Sequence, residues 1–163
     1  MGHRVIDWAT SNDIEVMLKS LDHASVVIEL RLFAADCAAR VLQHLPEPEF
    51  SAALAASRDF ANGNTTSESL DAVVDSAALL LTPNVIQPTV RDFAGSAVID
   101  AASSHPPSAS TVWTSVSCAL QAVACAAADS ADDDTYDSVY DSAMTAESTA
   151  QCDLLRAHIP HLP

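Results

Sequence analysis

Apolar residues recur at intervals of three and four positions along most of this chain, and that spacing restricts what it can fold into. One segment shows the pattern clearly: Val27, Leu30, Phe33, Ala34, Cys37, Val41 and Leu45. Such intervals place side chains on one side of an α-helix, whereas a strand needs alternation. Glycine, which supports tight hairpin turns, occurs three times in 163 residues. The sequence therefore predicts an all-α fold.

Prolines, glycines and capping residues divide this pattern into about seven helices. The first is short and begins after position 10 or 11. The next four cover about residues 22–45, 49–61, 66–81 and 88–104, and each ends at a proline or at Asn62-Gly63. The sixth begins at position 108 or 110, and the last follows the run 130–134 and ends near Pro160.

These helices are expected to form a single all-α domain over residues 1–163, as about seven antiparallel helices in a bundle or compact helical array. A HEAT-like stack of helix pairs is an open alternative, although no fixed-period repeat is present. Residues 1–9 and 160–163 are expected to be loose tails. The apolar share is rich in alanine, so the helices should pack at short distances.

The charge is strongly negative, with 22 acidic against 7 basic residues and a formal net charge of -15. Between Arg91 and Arg156 there is neither lysine nor arginine. A negative field of this size repels phosphate backbones, so the chain is not expected to bind nucleic acid. It attracts a basic protein surface. Acidic, lysine-poor surfaces also keep proteins soluble at high salt, and charge alone does not separate these two interpretations.

The residues that carry catalysis or bind cofactors do not occur at the required spacings. The glycines exclude a phosphate loop or dinucleotide fingerprint, and no Cys-x-x-Cys, Glu-x-x-His or His-x-x-x-His pattern is present. Cys37 and His44 are seven positions apart on the predicted second helix, too far apart for a hydrogen bond. His158 and His161 are expected to be solvated in the C-terminal tail. The sequence therefore predicts no enzyme, no metal and no cofactor.

The N-terminal segment MGHRVIDWATSNDIE lacks the apolar core of a signal peptide. No uninterrupted apolar run approaches the roughly 18 residues that a membrane span requires. We therefore expect a cytoplasmic protein that does not enter a membrane.

Two sequence islands, LFAADCAARVL and AASRDFANG, are separated by a short segment that contains Pro and Glu. Together they resemble the fifth-numbered immunity protein family of bacterial polymorphic toxin systems. The residues that match its motifs are Phe33, Ala34, Ala35, Asp36, Cys37, Ala38, Arg40, Val41 and Leu42 in the first island and Arg58, Phe60 and Gly63 in the second. The segment from Gln151 to Leu155 is similar to the family's C-terminal part. Phe33 and Phe60 match aromatic positions of the motifs at which the family usually has Trp, and Ala150 departs from the family, which usually has Trp before the Gln.

The resemblance implies a cytoplasmic antitoxin that binds a cognate toxin domain and occludes its active site or substrate-binding site. Asp36, Arg40 and Arg58 could contact the toxin or pair within the chain, and their apolar surroundings favour internal pairs. Arg58 in particular is interpreted as a buried ion-pair partner.

Because many toxin domains act on nucleic acids through basic clefts, the acidic region near the last helix is the candidate toxin-binding surface. Three of its carboxylates, Asp133, Asp137 and Asp141, are expected on one face of that helix. The candidate contacts are Asp129, Asp132, Asp133, Asp134, Tyr136, Asp137, Tyr140 and Asp141. The alternative function is a non-catalytic acidic helical scaffold or interaction protein whose acidity reflects salt adaptation.

Overall fold

A computed structural model describes residues 7–82 and 86–160 of the chain. Within these ranges it contains seven α-helices, one 3-10 turn and no strand, so the all-α prediction is confirmed. The helices are α1 (Ile14–Lys19), α2 (Val27–Ala39), α3 (Pro48–Ala61), α4 (Ser67–Ala78), α5 (Val90–Ala101), α6 (Ala109–Ala128) and α7 (Tyr136–His158). The 3-10 turn covers Leu42–His44.

Hydroxyl side chains define where three of the helices begin. Thr66, Thr89 and Ser108 each accept a hydrogen bond from a backbone N–H in the first turn of the helix that follows. Such caps satisfy amide groups that have no partner within the helix. Pro48 occupies the first turn of α3, where its missing N–H is not needed.

The helices form a compact array in which α6 has a central place. It packs against α5, α7, α2 and α1. Alanines on these contacts are fully buried, among them Ala97, Ala119 and Ala122. Small side chains allow the helix axes to approach closely, as the composition predicted. Because α2 contacts α6 and α7 as well as α3, the array is not a linear stack of helix pairs.

The second helix is shorter than the predicted segment 22–45. The α-helix ends at Ala39, and the 3-10 turn follows. Leu45, after that turn, has an extended backbone with φ -129° and ψ 86°. Pro46 accounts for this, because proline disfavours helical backbone in the residue before it and clashes with the carbonyl four residues back. The apolar stripe nevertheless continues past the helix end, since Val41 and Leu45 are buried. His44 therefore does not lie on the helix that carries Cys37.

Among the described residues, α6 is the one helix that is long and apolar enough to cross a membrane, judged by length and composition. Ser, Thr and Gln residues interrupt its apolar run, although the average over the helix stays apolar. The expectation that the protein does not enter a membrane stays a prediction. In the array α6 contacts four other helices, and Val112, Val116 and Leu120 are buried against them.

Most of the two predicted tails, residues 1–6 and 161–163, lies outside the described residues, and so does His161. In the described part of the N-terminal tail, Trp8 packs against the core. Its carbonyl oxygen accepts a hydrogen bond from Nε of Arg156 at 3.0 Å. The chain entering α1 is therefore attached to the last turns of α7.

Candidate functional site

The link between α6 and α7 and the first turns of α7 carry a dense group of carboxylates. We call it the acidic surface, and it consists of Asp129, Asp132, Asp133, Asp134, Asp137 and Asp141 together with Tyr136 and Tyr140. All six aspartates are exposed. Among the described residues, no ion pair neutralises any of them. The predicted contact residues therefore lie at the end of α6, in the link and on the first two turns of α7.

Two of the aspartates have identifiable local roles. Asp132 forms the turn before α7, because its Oδ1 accepts hydrogen bonds from the N–H and the hydroxyl of Thr135 at 3.0 Å and 2.6 Å. Asp129 is the C-terminal cap residue of α6, which has no basic residue in its last turn. A negative charge at the negative end of the helix dipole is unfavourable, so helix stability does not explain Asp129.

The expectation that Asp133, Asp137 and Asp141 share one face of the last helix is wrong for Asp133. α7 begins at Tyr136, and Asp133 lies in the preceding turn. The hydrogen bonds from Thr135 to Asp132 stabilise this turn, and the helix begins only after it. Asp137 and Asp141 are four residues apart on α7 and therefore lie on one side of it.

An aromatic pair lies within the acidic surface. The rings of Tyr136 and Tyr140 are stacked, with their centroids 6.4 Å apart and their planes at 15°. Tyr136 is 38% exposed, whereas Tyr140 is half-buried. Burial, together with the negative charges nearby, raises the pKa of Tyr140 and keeps its hydroxyl protonated. The pair places aromatic rings and hydroxyl groups among the carboxylates.

The two sequence islands meet where α2 and α3 pack against each other. Asp36 on α2 accepts a hydrogen bond from Nη2 of Arg58 on α3 at 2.8 Å, and its second oxygen lies 2.9 Å from Nε2 of His158. The expectation that His158 is solvated in the C-terminal tail is therefore wrong, because His158 is the last residue of α7 and packs against α2. Burial by itself would raise the pKa of Asp36, but the hydrogen bonds from Arg58 and His158 outweigh it and lower that pKa. Arg58 thus has the internal partner favoured by the sequence, although it is partly exposed rather than buried.

Arg40 pairs with a residue that the sequence did not single out. Its Nε and Nη2 donate to the two oxygens of Glu147 on α7 at 2.7 Å and 2.8 Å. The Glu147 side chain is 4% exposed, and Oε1 also accepts from Nε2 of the buried Gln151 at 3.3 Å. Glu147 and Gln151 are one helical turn apart, a spacing that could have indicated an inward-facing polar pair.

The remaining residues of the islands have packing and backbone roles. Phe33 and Cys37 are fully buried. The guanidinium of Arg31 lies 4.9 Å from the centre of the Phe60 ring, and Arg31 donates hydrogen bonds to the carbonyls of Ser103, Ser104 and His105. Gly63 ends α3 with φ 75°, a left-handed conformation that glycine adopts without steric cost. Like Glu147, Arg31 was missed by sequence reasoning.

The cysteines are free and poorly suited to nucleophilic chemistry. Burial raises the pKa of Cys37 well above its ordinary value and raises that of Cys118 to about 11. A thiol reacts as its thiolate, so these groups are protonated and unreactive at neutral pH. In the ranges 7–82 and 86–160, no three His, Cys, Asp or Glu residues are arranged to hold a metal ion.

Comparison with known proteins gave no match to a protein-family model, to a curated protein or to a solved structure.

Proposed function

We propose that this chain is a non-catalytic immunity protein that binds a cognate bacterial toxin domain in the cytoplasm. The proposal combines the resemblance of the two sequence islands with the physical properties of the acidic surface. The toxin is expected to present a basic cleft, and the immunity protein to cover that cleft so that substrate cannot enter.

The observation that carries the proposal is the set of exposed carboxylates without ionic partners on the acidic surface. Asp133, Asp134, Asp137 and Asp141 are exposed and unpaired within the described chain. Like charges held close together repel one another, and Asp129 adds an unfavourable interaction with the α6 dipole. A basic partner surface would relieve this repulsion and associate faster because of the attraction.

The stacked tyrosines can contribute binding affinity that exposed charges alone do not. Exposed charges at the edge of an interface mainly accelerate encounter, whereas buried aromatic side chains contribute most of the affinity. Tyr136 and Tyr140 lie among the carboxylates on the first two turns of α7. We therefore assign them as contacts of the toxin and the carboxylates around them as the groups that attract its cleft.

In this proposal the islands support the binding surface and do not contact the toxin. Arg40 attaches α2 to α7 through Glu147, and Asp36 attaches α2 to α3 through Arg58. The Arg40–Glu147 pair and the contact between His158 and Asp36 hold α7 against α2, and α7 presents the acidic surface.

Co-expression with the products of the adjacent genes tests the proposal. Cells that express the toxin alone should stop growing, cells that also express this chain should grow, and the two proteins should elute together in size-exclusion chromatography. If no adjacent gene product is toxic, or if this chain neither rescues growth nor co-elutes with it, the proposal is wrong.

A non-catalytic scaffold or interaction protein with salt-adapted acidity is the second candidate. It is favoured by carboxylates far from the acidic surface, such as Glu68, Asp71 and Asp75, which are all exposed on α4. It predicts that acidity matters for stability and solubility at high salt and that no toxin is bound.

A further inference from the structure

An open groove of about 420 Å³ lies between α1, α6 and α7. Its floor is apolar: Ile14 and Leu120 are nearly fully buried, and Trp113 and Met144 are half-buried. We call it the Trp113 groove, and we define it by Asp13, Ile14, Trp113, Leu120, Met144 and Thr145. An apolar floor surrounded by polar side chains is typical of a site that binds another molecule.

The Trp113 groove continues into the acidic surface. Asp141 lines a neighbouring hollow that shares Thr145 with the groove. Asp137, Asp141, Thr145 and Ser148 follow one another along α7 at intervals of three and four residues, so they lie on one side of the helix. The groove and the α7 carboxylates of the acidic surface therefore lie on the same side of α7.

The charges around the groove indicate the chemistry of its occupant. Asp13 and Glu15 stand at the α1 end, and Asp141 stands beyond Thr145 at the other end. Lys19 pairs with Glu15 at 2.5 Å, and Asp13 accepts a hydrogen bond from the N–H of Val16 as the cap of α1. Within the described residues, neither Asp13 nor Asp141 has a cationic partner. A cationic chain segment complements these carboxylates, whereas a second copy of this chain, with its net charge of -15, would be repelled.

We propose that the Trp113 groove binds a cationic segment of a partner protein and that one large apolar side chain of that segment lies against Trp113. The identification of this partner as the toxin rests on the function proposed above. Trp and other large apolar side chains in such pockets commonly dominate the affinity of an interface.

Fluorescence of Trp113 gives a direct measurement. The chain has two tryptophans, Trp8 and Trp113, so the emission of a Trp8→Phe variant comes from Trp113 alone. The probe is a short synthetic peptide with lysines and leucines at helical spacing, and a second peptide has every leucine replaced by serine. We expect the first peptide to shift the Trp113 emission to shorter wavelength with saturation, and the serine peptide to bind at least about tenfold more weakly.

A charge-matched pair of substitutions separates the groove from general electrostatic attraction. Thr145→Arg places a cation at the junction of the groove and the acidic surface. The Thr145 hydroxyl donates only to the Asp141 carbonyl of its own helix, so its loss should leave the fold intact. Ala55→Arg adds the same charge on the exposed side of α3. We expect Thr145→Arg to weaken peptide binding about tenfold and Ala55→Arg less than about twofold.

The results that overturn the groove proposal differ from those that overturn the toxin proposal. The groove is not the site if the leucine peptide leaves Trp113 emission unchanged, if the serine peptide binds equally well, or if both arginine variants weaken binding equally. It is instead an interface between copies if Trp113 emission depends on protein concentration without peptide and Thr145→Arg abolishes a dimer. If the Thr145→Arg variant binds the toxin normally, the groove proposal is wrong and the toxin proposal stands. If the peptide binds in the groove but no toxin partner exists, the toxin proposal is wrong and the groove proposal stands.

Discussion

At the scale of single residues, the pair formed by Arg40 and Glu147 is asymmetric in its exposure. The Arg40 side chain is 41% exposed, whereas the Glu147 side chain is 4% exposed. Without Glu147 the guanidinium can return to water. Without Arg40, however, the carboxylate stays buried with Gln151 as its remaining polar contact. Loss of the arginine should therefore cost more than loss of the carboxylate.

We predict that Arg40→Met lowers the free energy of unfolding by about 3 kcal/mol. Glu147→Gln should lower it by about 1–2 kcal/mol, because a neutral amide still fills the site. Lys19→Met, which removes the exposed pair with Glu15, serves as the control and should change it by less than about 0.5 kcal/mol. Urea unfolding at neutral pH measures all three, and equal losses for Arg40→Met and Glu147→Gln would contradict the explanation.

The sequence indicated some of these residue roles and missed others for a physical reason. Arg58 could be interpreted as an internal partner because it lies within an apolar segment. The spacing of Glu147 and Gln151 could indicate an inward-facing polar pair, but not the ion pair with Arg40, which is 107 residues away along the chain. Arg31 could not be identified, because the carbonyls to which it donates are 72 or more residues away. Such long-range pairs follow from the packing of helices, which local spacing does not reveal.

At the scale of helices, α5 contains a glycine whose role is contact with a neighbouring segment. Leu81 lies just after the end of α4. A Cβ at Gly95 would lie 2.3 Å from Cδ2 and 2.9 Å from Cδ1 of Leu81. Alanine improves helix stability by about 1 kcal/mol relative to glycine, but here Leu81 would have to move.

We predict that the effect of Gly95→Ala depends on Leu81. In the natural chain the cost of moving the flexible Leu81 side chain should cancel most of the helix gain, so the unfolding free energy should change by less than about 0.5 kcal/mol. In a Leu81→Ala background it should raise the unfolding free energy by about 0.5–1 kcal/mol. Chemical denaturation of the four proteins in this cycle measures the coupling, and the same effect in both backgrounds would rule out the steric explanation.

Helix positions were predictable to within a few residues wherever capping residues or prolines mark an end. α3 and α6 begin and end within about two residues of the predicted bounds, because Pro48, Asn62-Gly63 and Ser108 act locally. α2 was predicted too long at both ends. The apolar stripe continues through Val41 and Leu45, and spacing alone does not distinguish a buried 3-10 turn from a continued helix.

At the scale of the whole molecule, the net charge of -15 affects stability and binding in different ways. Self-repulsion acts on the whole surface and weakens the folded state, so added salt should stabilise it by screening. Binding depends instead on where the carboxylates lie. The acidic surface and the exposed acids of α4 should therefore be equivalent for stability but not for association.

Two charge-reversed variants test the effect of self-repulsion on stability by thermal unfolding. One carries Asp133→Lys, Asp137→Lys and Asp141→Lys, and the other carries Glu68→Lys, Asp71→Lys and Asp75→Lys. Both change the net charge equally, and each replaces one acidic residue in the first turn of a helix. We predict that the melting temperatures of both respond less to added salt than that of the natural chain. A salt response as steep as that of the natural chain would show that self-repulsion is not significant.

The association rate constant with the co-expressed toxin, measured by stopped flow for the natural chain and these two variants, tests the toxin-binding proposal most directly. We predict that the acidic-surface variant associates at least about tenfold more slowly at low salt and that the α4 variant slows by less than about threefold. The difference should shrink as salt is added. Equal rates for the two variants, whether both slow or both unchanged, would contradict the proposal that the toxin docks on the acidic surface.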